Sequence, residues 1–165
     1  LVPLPDLAPV WARLFADLRD YIDKCDKKES LQSPGPLMRW ADFVELLADN
    51  EPRLLRQLRF PAQYQTELTR IYSIINTSLD SYELPDTVED ATYDLGWMRN
   101  VRDSLSKLEP HGGAMRSQLK KILVQVRGQV DELETTIRSL EDEDAELEME
   151  EYEQAIDIKA LFADL

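Results

Sequence analysis

The sequence predicts an all-α fold: a helical bundle of about five to six helices that includes one long antiparallel helical hairpin. Apolar residues recur at the spacing of amphipathic helices over most of the chain, and no stretch of useful length alternates as a strand does. The 9 prolines, with only 5 glycines, mark the ends of these periodic segments. A chain of 165 residues fits one domain. We assign the bundle to residues 1–140 and an acidic extension to residues 141–165.

The first predicted helix spans residues 7–28 and carries a wide apolar face. Asp6 precedes it as a candidate cap, and Pro9 falls in its first turn, where a missing N–H costs little. The helix is expected to end before the breaker at residues 33–36. Its apolar positions are Leu7, Val10, Trp11, Leu14, Phe15, Leu18, Tyr21, Ile22 and Cys25.

Three shorter helices are predicted to follow, over residues 37–48, 52–59 and 62–82. Pro52 suits a first helical position, and Pro61 opens the third of these helices. The segment 52–59 places leucines on one side and arginines on another. The apolar positions of the outer two helices are Trp40, Phe43, Val44 and Leu47, and then Tyr64, Leu68, Ile71, Tyr72, Ile75 and Leu79.

Residues 86–140 predict the hairpin, the most specific architectural signal in the chain. Asp86 and Glu89 have the spacing of a capping box, with Asp86 as the cap of the first arm. Residues 109–113 form a turn rich in glycine, and a long helix follows from Ala114. Two helices with heptad spacing, joined by a short turn, are typical of an antiparallel pair with coiled-coil-like contacts. The heptad columns of the second arm are Leu119, Val126, Leu133, Leu140 and Leu147, and Leu123, Val130 and Ile137.

The net charge of −14 is concentrated at one end of the chain. Residues 141–165 hold 11 acidic groups against Lys159, a net of −10, which leaves −4 for residues 1–140. Repeated like charges three and four residues apart weaken a helix, so we expect fraying near Glu141. An acidic chain lacks the cations that neutralise phosphates, so direct nucleic-acid binding is disfavoured.

The extension is acidic but also contains large apolar residues at helical spacing, a pattern typical of a helix that docks in the groove of a partner with a basic rim. An equally favoured interpretation is that these residues pack on the chain's own body. Trp97 lies off the apolar column of its helix and is a further candidate contact. The predicted partner-binding residues are Trp97, Glu148, Met149, Glu151, Tyr152, Ile156, Ile158, Leu161, Phe162 and Leu165. Basic residues that could hold the extension or another polyanion are Arg53, Arg56, Arg59, Arg116, Lys120, Lys121 and Arg127.

Residue types needed for common enzyme chemistry are scarce. One cysteine and one histidine allow neither an internal disulfide nor an imidazole-based metal site. His111 lies in the glycine turn, and Cys25 shares the apolar face of the first helix. Gly112 and Gly113 lack the lysine of a phosphate-binding loop, and Leu147 stands where a calcium loop after Asp142 needs glycine. We therefore predict a non-enzymatic chain without a cofactor or a metal.

The sequence favours a protein–protein interaction or regulatory domain that docks on a protein with a basic surface. The alternative is an acidic inhibitor that imitates nucleic acid and blocks a DNA- or RNA-binding protein. The chain opens on Leu1 with no signal peptide, and no apolar run reaches the length of a membrane span. We expect an intracellular, cytoplasmic protein that forms part of a larger chain or complex.

Overall fold

The computed structural model describes residues 8–27, 31–53, 55 and 62–163, and it is an all-α bundle. No strand occurs in these ranges. Residues 109–111 and 113–115 form two 3₁₀ turns between the last two helices. Most of the predicted helix 52–59 lies outside the described residues, as does the candidate cap Asp6. The five long helices of the described part are α1 (Ala8–Asp26), α2 (Gly35–Asn50), α3 (Ala62–Asp80), α4 (Val88–Leu108) and α5 (Arg116–Ala163).

An aromatic cluster joins the first three helices. The rings of Trp11 and Phe15 on α1 stack with centroids 5.3 Å apart. Trp40 on α2 lies 5.7 Å from Phe15 and 5.1 Å from Tyr64 on α3. Such ring pairs stabilise a core beyond their buried area. Burial also raises the pKa of the Tyr64 hydroxyl, an effect that Trp40 partly offsets.

The start of α4 differs by one residue from the sequence prediction. Thr87, not Asp86, is the cap: it has extended backbone geometry, and its hydroxyl accepts a hydrogen bond from the Asp90 N–H. The helix therefore begins at Val88. A threonine at this position satisfies one of the N–H groups that the first turn of a helix leaves unpaired. The predicted pair, Asp86 and Glu89, has the same spacing as the observed pair, Thr87 and Asp90, but lies one residue earlier in the chain.

The predicted hairpin is confirmed, with α4 and α5 as its arms. Gly113 adopts a left-handed backbone with φ of 55°, a conformation that glycine accepts without strain. A Cβ atom at Gly112 would lie 2.8 Å from Leu119 Cδ1, so a side chain there would collide with the start of α5. The two glycines thus allow the chain to reverse between Leu108 and Arg116.

The first part of α5 packs against α4 and α3. Its heptad columns bury Leu119, Leu123, Val126, Val130 and Leu133 against the other helices. Ion pairs tie neighbouring helices together at the surface. Lys107 on α4 lies 2.5 Å from Asp42 on α2, and Arg99 on α4 lies 2.9 Å from Glu134 on α5.

The helix α5 continues through Glu141 without the expected fraying. At about 1.5 Å per residue, its 48 residues extend about 72 Å. Glutamate and leucine favour helix, and each like-charge pair weakens it by only a few tenths of a kcal/mol.

Among the described helices, none combines the length and apolar character that crossing a membrane requires.

Candidate functional site

The second half of α5 exposes large apolar side chains. Met149, Tyr152 and Ile156 are 64%, 69% and 46% exposed. Spacings of three and four residues place all three on one face of the helix, and we call them the distal stripe. On the average protein surface such residues are scattered singly, whereas an aligned row is typical of an interface.

A second apolar face lies on the other side of the same helix. Leu147, which is 57% exposed, continues the column of Leu119 and Leu133 beyond the point where other helices cover it. Five residues of helix rotate Leu147 by about 140° from Tyr152. Leu161 and Phe162 are also exposed, whereas the side chains of Ile158 and Leu165 lie outside the described residues. The predicted anchors therefore occupy more than one face.

Carboxylates border the distal stripe on both sides. Glu148 lies one helical turn before Tyr152, and Glu153 lies one turn after Met149. The predicted residue Glu151 is likewise exposed. Among the described residues, the acidic side chains of 141–156 form no ion pair. The stripe is thus an apolar strip within a negatively charged surface.

In the described part of the chain, none of the predicted basic side chains forms an ion pair with the acidic residues of 141–156. Arg116 Nε and Lys120 Nζ lie 3.1 and 3.5 Å from the same oxygen of Glu109, so both cations stabilise the hairpin turn. Arg53, Lys121 and Arg127 are exposed, whereas Arg56 and Arg59 lie outside the described residues. The exposure of the distal stripe shows that this part of α5 does not pack on the bundle in the structure.

Trp97 lies against the bundle and is not a freely exposed anchor. Its indole N–H donates to Asp94 Oδ1 at 3.2 Å, and the Tyr82 hydroxyl donates to Asp94 Oδ2 at 2.6 Å. Burial, reinforced by the hydrogen bond to Asp94, raises the pKa of Tyr82. One carboxylate therefore fixes two aromatic side chains. The exposed aromatic residue of α4 is Tyr93, which the sequence patterns did not single out.

Trp97 borders a cavity of about 540 Å³ between α1, α3, α4 and α5. Its polar lining includes Gln32, Ser73, Thr77 and Ser78. No sequence pattern pointed to this cavity, because its walls come from segments far apart in the chain. The one sequence feature that related to it was that Trp97 lies off the apolar column of its helix. Its apolar and aromatic lining includes Ile74, Leu79, Tyr82, Trp97, Met98 and Val101.

The described part of the chain holds no group of three or more His, Cys, Asp or Glu side chains able to bind a metal ion. His111 lies in the hairpin turn, and Cys25 is buried on α1. No protein-family model, curated protein or solved structure shows significant similarity to this chain. The exposed half of α5 and the cavity beside Trp97 are the two candidate functional regions of the described residues.

Proposed function

We propose that this chain is a non-enzymatic interaction module that binds a basic, amphipathic segment of a partner protein through the distal stripe. The observation that carries the proposal is the exposure of Met149, Tyr152 and Ile156 on one face of an uninterrupted helix. Helix-in-groove recognition uses apolar anchors at this spacing. A chain reversal or a break in α5 would have separated them.

Burial of the stripe supplies part of the affinity. Fully burying one large apolar side chain contributes about 1.5–3 kcal/mol, and about 1.4 kcal/mol changes a dissociation constant tenfold. Three such residues contribute at most about 4.5–9 kcal/mol, which is comparable with the lower part of the estimated cost of association of about 4–15 kcal/mol, so attraction between opposite charges is needed as well. The stripe presents them on a helix that is already formed, which reduces that cost.

Charge selects the partner. Residues 141–165 carry 11 acidic groups and one lysine, so a second copy of this helix would be repelled. A segment rich in lysine or arginine would instead be attracted and oriented by Glu148, Glu153 and their neighbours. The partner we propose is therefore basic as well as apolar on one face.

The bundle acts as the rigid base for this arm. Leu133 is completely buried, and Ile137 is the last residue of α5 that packs against the core among the described residues. Residues 141–163 then extend about 35 Å farther at 1.5 Å per residue. This arrangement holds the distal stripe away from the bundle, where a partner can surround it.

A synthetic peptide tests the proposal. The probe is a fluorescent 21-residue helix with leucine at positions a and d of each heptad and lysine elsewhere, and its counterpart has glutamate in place of lysine. Anisotropy is measured with the intact chain and with the stripe variant Met149→Gln, Tyr152→Gln and Ile156→Gln, which keeps the charge. We expect the lysine peptide to bind, the glutamate peptide not to bind, and the stripe variant to lose at least tenfold in affinity.

The matched control replaces three exposed apolar residues of the body, with the substitutions Leu84→Gln, Tyr93→Gln and Val124→Gln. It should bind the lysine peptide as the unmodified chain does. Equal affinity of the unmodified chain and the stripe variant would contradict the proposal, since attraction by charge alone would then explain binding. Sedimentation of the chain alone tests whether a second copy of the chain covers the stripe instead of a basic partner. A stable dimer that the stripe variant abolishes would assign the stripe to self-association.

A further inference from the structure

The cavity beside Trp97 has the size and walls of a small-molecule site. Its volume of about 540 Å³ falls within the range of about 300–1,000 Å³ that is usual for such sites. Three elements contribute apolar walls: Ile74 on α3, Val101 on α4 and Val126 on α5. The space is concave and open on one side, which suits a compact molecule, whereas a partner helix requires a long open groove.

Two of its aromatic side chains are held in place before any ligand arrives. Asp94 accepts the hydrogen bonds of both Tyr82 and Trp97, at 2.6 and 3.2 Å. Because each aromatic residue directs its donor to Asp94, it offers mainly apolar ring surface to the cavity. Side chains that are already ordered lose little rotamer entropy when a ligand binds, which favours affinity.

The described lining of the cavity offers no cation to an anionic ligand. Asp26 is the one charged residue in its described lining, and neither lysine nor arginine lines it there. Arg70, which reaches Asp26 at 3.5 Å, is already bonded to Asp23 and Glu67 at 2.6 and 2.8 Å. Hydroxyl groups of Ser73, Thr77 and Ser78 supply neutral hydrogen-bonding partners. Burying an unpaired charge against the apolar walls would be unfavourable for either sign.

We infer that this cavity binds a small, uncharged molecule with an aromatic or other apolar body, independently of the distal stripe. The apolar walls hold the body, and the serine and threonine hydroxyls at one side bind a neutral polar group. This would give the chain a ligand site in its body, separate from the interaction surface on its arm.

Two related dyes test the inference. N-phenyl-1-naphthylamine is uncharged, and 1-anilinonaphthalene-8-sulfonate differs from it by one negatively charged sulfonate. Both fluoresce more strongly in an apolar site, so each can be titrated against the full chain. We expect saturable binding of one uncharged dye per chain, with a dissociation constant at least tenfold lower than that of the sulfonate.

Filling the cavity should abolish this binding. Ser78→Phe is designed to place a ring in the cavity, and Thr77→Phe is designed to do so from an exposed position, where a substitution disturbs the core less. Ser117→Phe is the matched control, because Ser117 is exposed on α5 and does not line the cavity. Circular dichroism shows which variants are folded. Each folded filling variant should bind the uncharged dye at least tenfold more weakly, and the control should bind it unchanged.

Three results would overturn the inference. The uncharged dye could fail to bind saturably, or a folded filling variant could bind it as tightly as the unmodified chain. Loss of dye binding in the stripe variant, with the cavity intact, would assign the dye to the distal stripe. The last result would leave the proposed interaction surface in place, so the two proposals can fail separately.

Discussion

Arg70 on α3 donates a hydrogen bond to the buried carboxylate of Glu67, with the two atoms 2.8 Å apart. Glu67 is only 6% exposed, and Arg19 on α1 approaches its other oxygen at 3.6 Å. The second nitrogen of the Arg70 guanidinium lies 2.6 Å from Asp23 on α1. Arg70 therefore compensates a buried charge and links two helices at once. Sequence periodicity gave no sign of this, because Glu67 occupies a position between apolar residues.

Removing Arg70 should destabilise the fold. Arg70→Met leaves Glu67 buried with only the longer contact to Arg19, and breaking a buried pair in this way costs several kcal/mol when both charges are inaccessible. Because Arg70 is partly exposed, we expect a loss of about 2 kcal/mol in the free energy of unfolding in urea. Arg127→Met, at an exposed position on α5, should change it by less than about 0.5 kcal/mol. A similar effect of both substitutions would show that the Glu67–Arg70 pair is not stabilising.

The same cluster predicts a dependence of stability on pH. The hydrogen bond from Arg70 holds the pKa of Asp23 below its ordinary value of 3.8. A carboxyl group whose pKa is lower in the folded chain than in the unfolded chain stabilises the fold above the unfolded value. That contribution disappears as the pH falls through the folded pKa. Urea midpoints between pH 6 and pH 3 should therefore fall less steeply for Asp23→Asn than for the unmodified chain, and parallel profiles would contradict the assignment.

Two substitutions test whether Thr87 or Asp86 caps α4. Thr87→Ala removes the acceptor of the Asp90 N–H and should lower the free energy of unfolding by about 1 kcal/mol. Asp86→Ala should lower it by only a few tenths of a kcal/mol, since Asp86 contributes only its charge near the helix N-terminus. Denaturant unfolding of the two variants measures the difference. A larger loss for Asp86→Ala would restore Asp86 as the cap.

These residues show which parts of the structure the sequence could predict. The helices and the hairpin followed from spacing, because Leu119, Val126 and Leu133 repeat every seven residues and glycines mark the turn. The prediction of the cap was wrong by one residue, because Asp86 and Thr87 both carry side chains suited to a cap and only the backbone geometry decides between them. The state of the second half of α5 could not be predicted, because periodicity identifies an apolar face but not what covers it.

Periodicity predicted less about the candidate sites than about the helices. The distal stripe was among the predicted residues, but the pattern could not separate it from the face of Leu147 and Leu161, since both share helical spacing. Trp97 was predicted as a contact residue, but the second aromatic side chain that bonds Asp94 is Tyr82, which lies in a segment outside any helix. Contacts between a helix and a connecting segment leave no periodic trace in the sequence.

Deleting residues 141–165 should leave the bundle intact. Because the described apolar side chains beyond Leu140 are exposed, their removal should change the free energy of unfolding by less than about 0.5 kcal/mol. The circular dichroism signal should lose the helical contribution of residues 141–163. A chain ending at Leu140 and the intact chain are compared in urea at the same salt concentration. A loss above about 1 kcal/mol would show that the extension packs on the body after all.

Leu133 and Leu147 occupy the same heptad column two repeats apart, and their environments differ completely. Leu133 has no exposed surface, whereas Leu147 is 57% exposed. Leu133→Ala should lower the free energy of unfolding by about 2–5 kcal/mol, because it removes apolar contacts and leaves a cavity. Leu147→Ala should change it by less than about 0.5 kcal/mol, because alanine and leucine have similar helix propensity and no core contact is lost. Urea unfolding of the two variants compares identical chemical changes on one helix. Comparable losses would mean that a second helix covers Leu147 in solution, and cross-linking would then show whether that helix belongs to the same chain.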